Sequence, residues 1–297
     1  MIGDFFSLGG WLDPLWAMRP DEPAAEVAVA AAADDPAVTR GQARTPFGNR
    51  DYLLFTPLRP ATRPILVVML HGCGQDAAAF MNGTGMNTAA ANAGAHVLWP
   101  EQDRAANVMR CWNWFERDNQ RPDTGEAALL MTMIDQTITQ KGLAGADIFV
   151  GGMSAGGAMA ATLADLFPKR ISAVGVHSGL RAMAADSVSS AMTVMREGAG
   201  EAGTAPPVPA IIFHGDADDV VAPVNGTSLA ANIEGRVSHG GRAGQHRWTR
   251  RSGDVGEYWQ IHGMGHAWSG GNASVDHNDA AGPDASAEMM RFFLSHR

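Results

Sequence analysis

Ser154 sits in Gly152-Met153-Ser154-Ala155-Gly156, a G-x-S-x-G pattern between the apolar run Asp147–Val150 and a helix-like stretch, Ser154 to Phe167. Strand, tight turn and helix in that order lift a serine hydroxyl clear of a sheet. Small neighbours let the backbone fold back, and the free N–H groups of a helix start favour developing negative charge. The matching chemistry is nucleophilic attack on a carbonyl, with a base to take the hydroxyl proton. A helix cap is the plainer use of the same serine.

In this kind of site the acid and then the histidine follow the serine along the chain. After the apolar run Pro209–Phe213 comes His214-Gly-Asp-Ala-Asp-Asp, and after Tyr258–Ile261 comes His262-Gly-Met-Gly-His266. Carboxylates at a strand's C-terminal end lie where an open α/β sheet puts its ligands. His266 is preferred over His262 as the base, because the glycines around Met264 carry it beyond the strand on a loop. Asp216, Asp218 and Asp219 all compete for the acid, with Asp218 preferred and the others suited to capping the turn. Zinc at His262 and His266 is a poor fit, because Gly263 and Gly265 disfavour the helix that a four-residue spacing needs.

His71-Gly72-Cys73-Gly74 follows the apolar run Ile65–Leu70. A loop in that place supplies one amide of an oxyanion hole and the residue after the nucleophile the other, which makes Cys73 and Ala155 the expected donors.

These residues need a scaffold that brings several strand ends together. Ile65–Leu70, His96–Trp99, Asp147–Val150, Ile171–Val176 and Pro209–Phe213 are apolar at successive positions, as strands covered on both faces are. Helix-like stretches, Ala77–Ala93, Gly125–Lys141, Ser154–Phe167 and Val224–Ile233, alternate with them. The alternation predicts an α/β fold with a mostly parallel sheet and helices on both faces. Gly198–Pro209 and Gly235–Gly253 are glycine-rich and read as loops. Residues 1–45 read as a leader or extension and residues 46–297 as one catalytic domain.

Composition narrows the partners. With 22 Lys and Arg against 31 Asp and Glu, the formal charge is −9, which opposes nucleic-acid binding. The richest apolar stretch, six residues from Ile65, is far short of a membrane span. Asp4 precedes the first basic residue, Arg19, so no secretory signal is expected and a cytoplasmic address follows, unless a signal has been removed. Neither a metal nor a cofactor is expected.

Five blocks together resemble the poly(3-hydroxybutyrate) depolymerase family of esterases: Leu70-His-Gly-Cys-Gly-Gln75, Arg110-Cys-Trp-Asn-Trp-Phe115, Gly152 to Met159, Gly263-Met-Gly-His-Ala-Trp-Ser-Gly-Gly271 and Gly282-Pro-Asp-Ala-Ser286. The resemblance runs from about Phe47 to the C-terminus. It implies an α/β-hydrolase fold and ester hydrolysis through an acyl-enzyme, with Ser154, Asp218 and His266 as the triad. The family also holds feruloyl and acetylxylan esterases, so the acyl group stays open. A non-catalytic binding protein on this scaffold is disfavoured by the intact order of the motifs. No segment here resembles the polymer-binding domain of secreted depolymerases, so soluble oligomers, amorphous polymer or small esters are expected over crystalline polymer. Both cysteines, Cys73 and Cys111, lie in family blocks, where pairing would tie two site loops together and two free thiols are the alternative. His71, Trp112, Trp114 and Trp268 are expected on the substrate side, the tryptophans as walls of an acyl pocket or as core. Phe5, Leu8, Leu12 and Leu15 would share one helix face, which could touch a polymer surface or pack on the body.

Overall fold

A strand that is apolar at every position must be covered on both faces, and β3 (Ile65–Leu70) is buried along its whole length. Leu66, Val68 and Leu70 join one apolar cluster, while Ile65, Val67 and Met69 join another. The computed structural model describes residues 35, 37–199, 205–241 and 247–297. It sets β3 in a ten-stranded sheet. Across the sheet the order is β1 (Val38–Thr45), β2 (Gly48–Phe55), β4 (His96–Pro100), β3, β5 (Asp147–Met153), β6 (Ala173–His177), β7 (Ala210–Gly215), β10 (Gly256–His262), β9 (Arg247–Gly253) and β8 (Arg236–Gly240). The strands from β4 to β10 in this order run parallel. Antiparallel ribbons close the two edges, β1 with β2 and β9 with β8.

Helices α1 (Ala77–Thr84), α2 (Met86–Ala93) and α7 (Ala285–Ser295) cover one face. On the other lie α3 (Gly125–Lys141), α4 (Ala155–Leu166), α5 (Val188–Glu197) and α6 (Val224–Leu229). In a parallel sheet every βα loop emerges at the same edge, so the loops after β3, β5, β6, β7 and β10 gather on one side.

The structure corrects four expectations. The stretch Ala77–Ala93 is two helices, because Gly85 takes φ 67 and its N–H closes α1 on Met81 O. The helix from Val224 ends at Leu229 instead of running to Ile233. Gly235–Gly253 is not a loop but holds the ribbon β8–β9, paired to β10. Val38–Thr45, within the expected leader, is an edge strand; with Val38 and Ala43 as its buried positions it shows no apolar alternation to read. Residues 1–34, with the amphipathic pattern from Phe5 to Leu15, lie outside the described residues. No helix of the described residues is long and apolar enough to cross a membrane.

At the opposite ends of the parallel strands, Arg297 ties the segment after α7 to the start of β5. Its Nε donates to Asp147 Oδ2 at 2.9 Å and its Nη2 to Arg63 O at 2.8 Å, while Arg63 pairs with the same aspartate. Asp147 is the first residue of β5, and Ser154 follows that strand's last.

Candidate active site

Because β5 ends at Met153 and α4 begins at Ala155, Ser154 alone turns the chain. Its φ of 55° is strained for a non-glycine residue, and such strain persists only where the surroundings over-determine it. The Ser154 N–H donates to His177 O at 3.0 Å, tying the turn to the end of β6. A methyl on Gly152 would collide with the carbonyls of Gly156 and Leu70, and one on Gly156 with those of Leu70 and His71. Both glycines of the pattern are therefore demanded by close backbone approach between the turn and the end of β3.

The turn after β7 and the loop after β10 are zipped together by Asp216 N–H to Ile261 O at 3.0 Å and Ala217 N–H to Met264 O at 3.1 Å. This brings Asp218 Oδ2 within 2.8 Å of His266 Nδ1. Its Oδ1 accepts from the amides of Val220 at 3.0 Å and Val221 at 2.9 Å. Burial pushes the Asp218 carboxyl up, but the His266 hydrogen bond, the charges of His266 and His214 and the Val221 amide outweigh it and hold the group below its ordinary value. With Nδ1 donating, the neutral His266 ring keeps Nε2 as an acceptor. Asp216 meets His262 instead, again at 2.8 Å, and Asp219 is exposed.

Three buried histidines that the sequence reading gave no role as site supports lie beneath these groups. His177 accepts from Ser269 N–H at Nε2, 3.0 Å away, and stacks on Trp268 with ring centroids 4.8 Å apart. One residue thus joins the serine turn, through its carbonyl, to the segment that follows His266. His214 donates from Nε2 to Val221 O at 2.8 Å, beside Asp218. His71 donates from Nδ1 to Gly72 O at 2.8 Å and accepts Gln102 N–H at 3.1 Å. A polar residue closing an apolar strand is the one local signal for them.

Burial lowers the pKa of all three, that of His71 to about 4. Between these values and about 6.5 the unfolded chain binds more protons than the folded one. Stability is therefore full above about pH 6.5 and falls as the pH drops toward 4. His71 alone accounts for on the order of 2 kcal/mol by pH 5. Glu126 and Glu101, both raised by burial, act in the opposite sense, while His96 and His277, lowered by burial, add to the effect of the three imidazoles. Urea unfolding is expected to show a lower midpoint at pH 5 than at pH 7 with an unchanged m value; an equal or higher midpoint would mean that the buried imidazoles do not control acid stability.

The loop after β3 is held from several sides. Gly72 N–H donates to Gln75 Oε1 at 2.9 Å and Gly74 N–H to Met109 O at 2.7 Å, with the Cys73 amide between them. Cys73 and Cys111 form a disulfide across 38 residues. Chain entropy gives such a cross-link about 4 kcal/mol of stabilisation. Behind it, Gln102 donates to Cys111 O at 2.9 Å and to the buried Glu126, which also accepts from Asn113 N–H at 2.7 Å. The sequence reading missed Gln102 and Glu126, whose partners are distant in the chain.

The expected substrate-side residues are placed differently. Trp112, Trp114 and Trp268 are at most 3% exposed and pack in the core, and His71 is fully buried. Trp112 packs against His71 and Trp268 stacks on His177, so these rings support the site loops from the core side. Among the described residues, no group of three or more His, Cys, Asp or Glu is arranged to hold a metal ion.

Known proteins share both sequence and architecture with this chain. Poly(3-hydroxyalkanoate) depolymerase C of Paucimonas lemoignei is 32% identical over 180 residues, 56% of this chain and 43% of that protein. Feruloyl esterase B of Neurospora crassa is 28% identical over 127 residues, 42% of each. The chain spans less than half the length of the curated relatives it matches. Acetyl xylan esterase from Aspergillus awamori superposes with a TM-score of 0.64 at 19% identity, over 86% of this chain and 99% of that one. With an alpha-beta serine hydrolase homologue from Coxiella burnetii, superposed at 0.50 with 15% identity, it marks the fold as that of the α/β-hydrolases. The family described as esterase PHB depolymerase matches residues 51–255, which include Ser154 and Asp218 but stop short of His266. On that match the chain belongs to the PHB depolymerase family of esterases.

Proposed function

We propose that the protein is a serine carboxylesterase acting on hydroxyalkanoate esters. The observation that carries this reading is the pair of buried Asp218 with partly exposed His266, held at 2.8 Å on loops that share the sheet edge with the strained Ser154 turn. In this reading Ser154 Oγ attacks the ester carbonyl while His266 Nε2 takes its proton, and the Asp218 carboxylate keeps the proton on Nδ1 and stabilises the imidazolium. Negative charge developing on the carbonyl oxygen is met by the amides of Ala155, at the start of α4, and Cys73. His266 then protonates the departing alcohol and activates the water that releases the acid from Ser154.

The relatives named for poly(3-hydroxyalkanoate) and feruloyl substrates support two acyl classes on one mechanism. The purified protein is expected to show the higher kcat/KM on a soluble 3-hydroxybutyrate trimer than on methyl ferulate. The reverse order would keep the mechanism and transfer the substrate class to aromatic esters, and no turnover of either would remove the esterase reading. The Cys73–Cys111 disulfide supports work in an oxidising compartment, in place of the cytoplasmic address expected from the charge pattern near Met1.

A further inference from the structure

Besides the exposed Asp219, the turn after β7 carries two carboxylates two residues apart, Asp216 and Asp218, and β10 with its loop carries two imidazoles four residues apart. Each carboxylate takes one imidazole. The inner pair, Asp218 with His266, is the one used by the proposed mechanism. We propose that the outer pair, Asp216 with His262, acts with Thr249 as a brace that positions His266 and so governs the chemical step without touching substrate. This rests on the reading of His266 as the base.

Asp216 is bonded at both oxygens. Oδ2 accepts from His262 Nδ1 at 2.8 Å and Oδ1 from Gly263 N–H at 2.6 Å, so one carboxylate holds a side chain and the next amide at the start of the loop. His262 Nε2 accepts from the Thr249 hydroxyl at 2.8 Å, and that oxygen meets His239 Nδ1 at 3.1 Å. With both imidazoles neutral, each bond in this row has one donor and one acceptor: His239 to Thr249, Thr249 to His262, His262 to Asp216. The row crosses from β8 over β9 and β10 to the end of β7, where the register sets His239 opposite Thr249.

Between His262 and His266 lie Gly263, at φ 79, then Met264 and Gly265. Glycines lend the backbone freedom that Asp218 must work against to hold His266 at one place. The Met264 carbonyl, bonded to Ala217 N–H, and the brace at His262 are what constrain the loop before it reaches the base. A misplacement of about 1 Å in a catalytic group costs on the order of a hundredfold. His266 is faced by Asp218, His214, His177 and His277.

The test is steady-state kinetics on 4-nitrophenyl butyrate with the full chain. An inactive wild type, or an active Ser154→Ala, ends the reading of the site itself and is distinguishable from failure of the brace. With that activity established, Asp216→Ala and His262→Ala are expected to lower kcat roughly 10- to 100-fold while KM stays within about twofold. His262→Asn, whose amide can donate from the place of Nδ1, is expected to recover most of the loss. Retention of kcat within twofold in both alanine variants overturns the proposal, as does a loss that asparagine does not recover. Should the alanine variants not fold by circular dichroism, Thr249→Val decides: a kcat several-fold down at constant KM supports the brace, and an unchanged kcat refutes it.

Discussion

Replacing Ser154 by alanine is expected to lower kcat on a soluble ester about a millionfold, by comparison with serine-protease triads. That is about 8 kcal/mol of transition-state stabilisation, from the loss of one oxygen. The size follows from the chemistry: without the hydroxyl no acyl-enzyme forms, so the reaction must fall back on direct attack by water. The residual rate comes from the amides of Ala155 and Cys73 and from substrate binding, which the substitution leaves in place. The strained turn rests on the close backbone approach that Gly152 and Gly156 permit and on the Ser154 amide, so the alanine variant is expected to fold as the parent does. A fluorophosphonate probe should label the parent and not the variant. Near-normal turnover by the variant would end the proposed mechanism, and labelling at another residue would name a different nucleophile.

Asp218→Asn is expected to cost about ten-thousandfold in kcat. The asparagine oxygen can still accept from the amides of Val220 and Val221, so the turn keeps its shape. Its nitrogen, however, occupies the place of Oδ2 and donates toward His266 Nδ1, 2.8 Å away. The imidazole must then carry its proton on Nε2, where the serine hydroxyl needs an acceptor. Asp219→Asn, on an exposed carboxylate of the same turn, is expected to leave kcat within about twofold. Equal losses in both variants would mean that the turn as a whole, and not one carboxylate, supports catalysis.

What could be read in the chain beforehand follows the range of the forces involved. The serine turn was legible because the clashes that demand Gly152 and Gly156 involve neighbours of one tight turn and the strand end beside it. The parallel strands were legible because burial on both faces writes apolar residues at successive positions. The ribbon β8–β9 was not, since an exposed edge strand such as Arg236–Gly240 carries arginine, serine and histidine and owes its shape to pairing across strands. The same cause hid β1. Three aspartates in one turn looked alike in sequence, and the zipped backbone that brings His266 to Asp218, and His262 to Asp216, comes from residues about 46 apart. The tryptophans stayed open for a related reason: a large aromatic suits a pocket wall and a core equally, and core packing depends on distant partners such as His177 against Trp268.

The clamp of Arg297 on Asp147 bears on how the molecule can be handled. β5 is seven residues long, so the residue that receives the clamp and the residue that follows the strand, Ser154, are separated by about 20 Å of extended backbone. A tag, a fused module or a surface linker joined after Arg297 therefore starts at the edge of the sheet opposite Ser154. Tethered to a bead by that end, the protein would present its reactive edge outward, toward a suspended particle as readily as toward a dissolved ester.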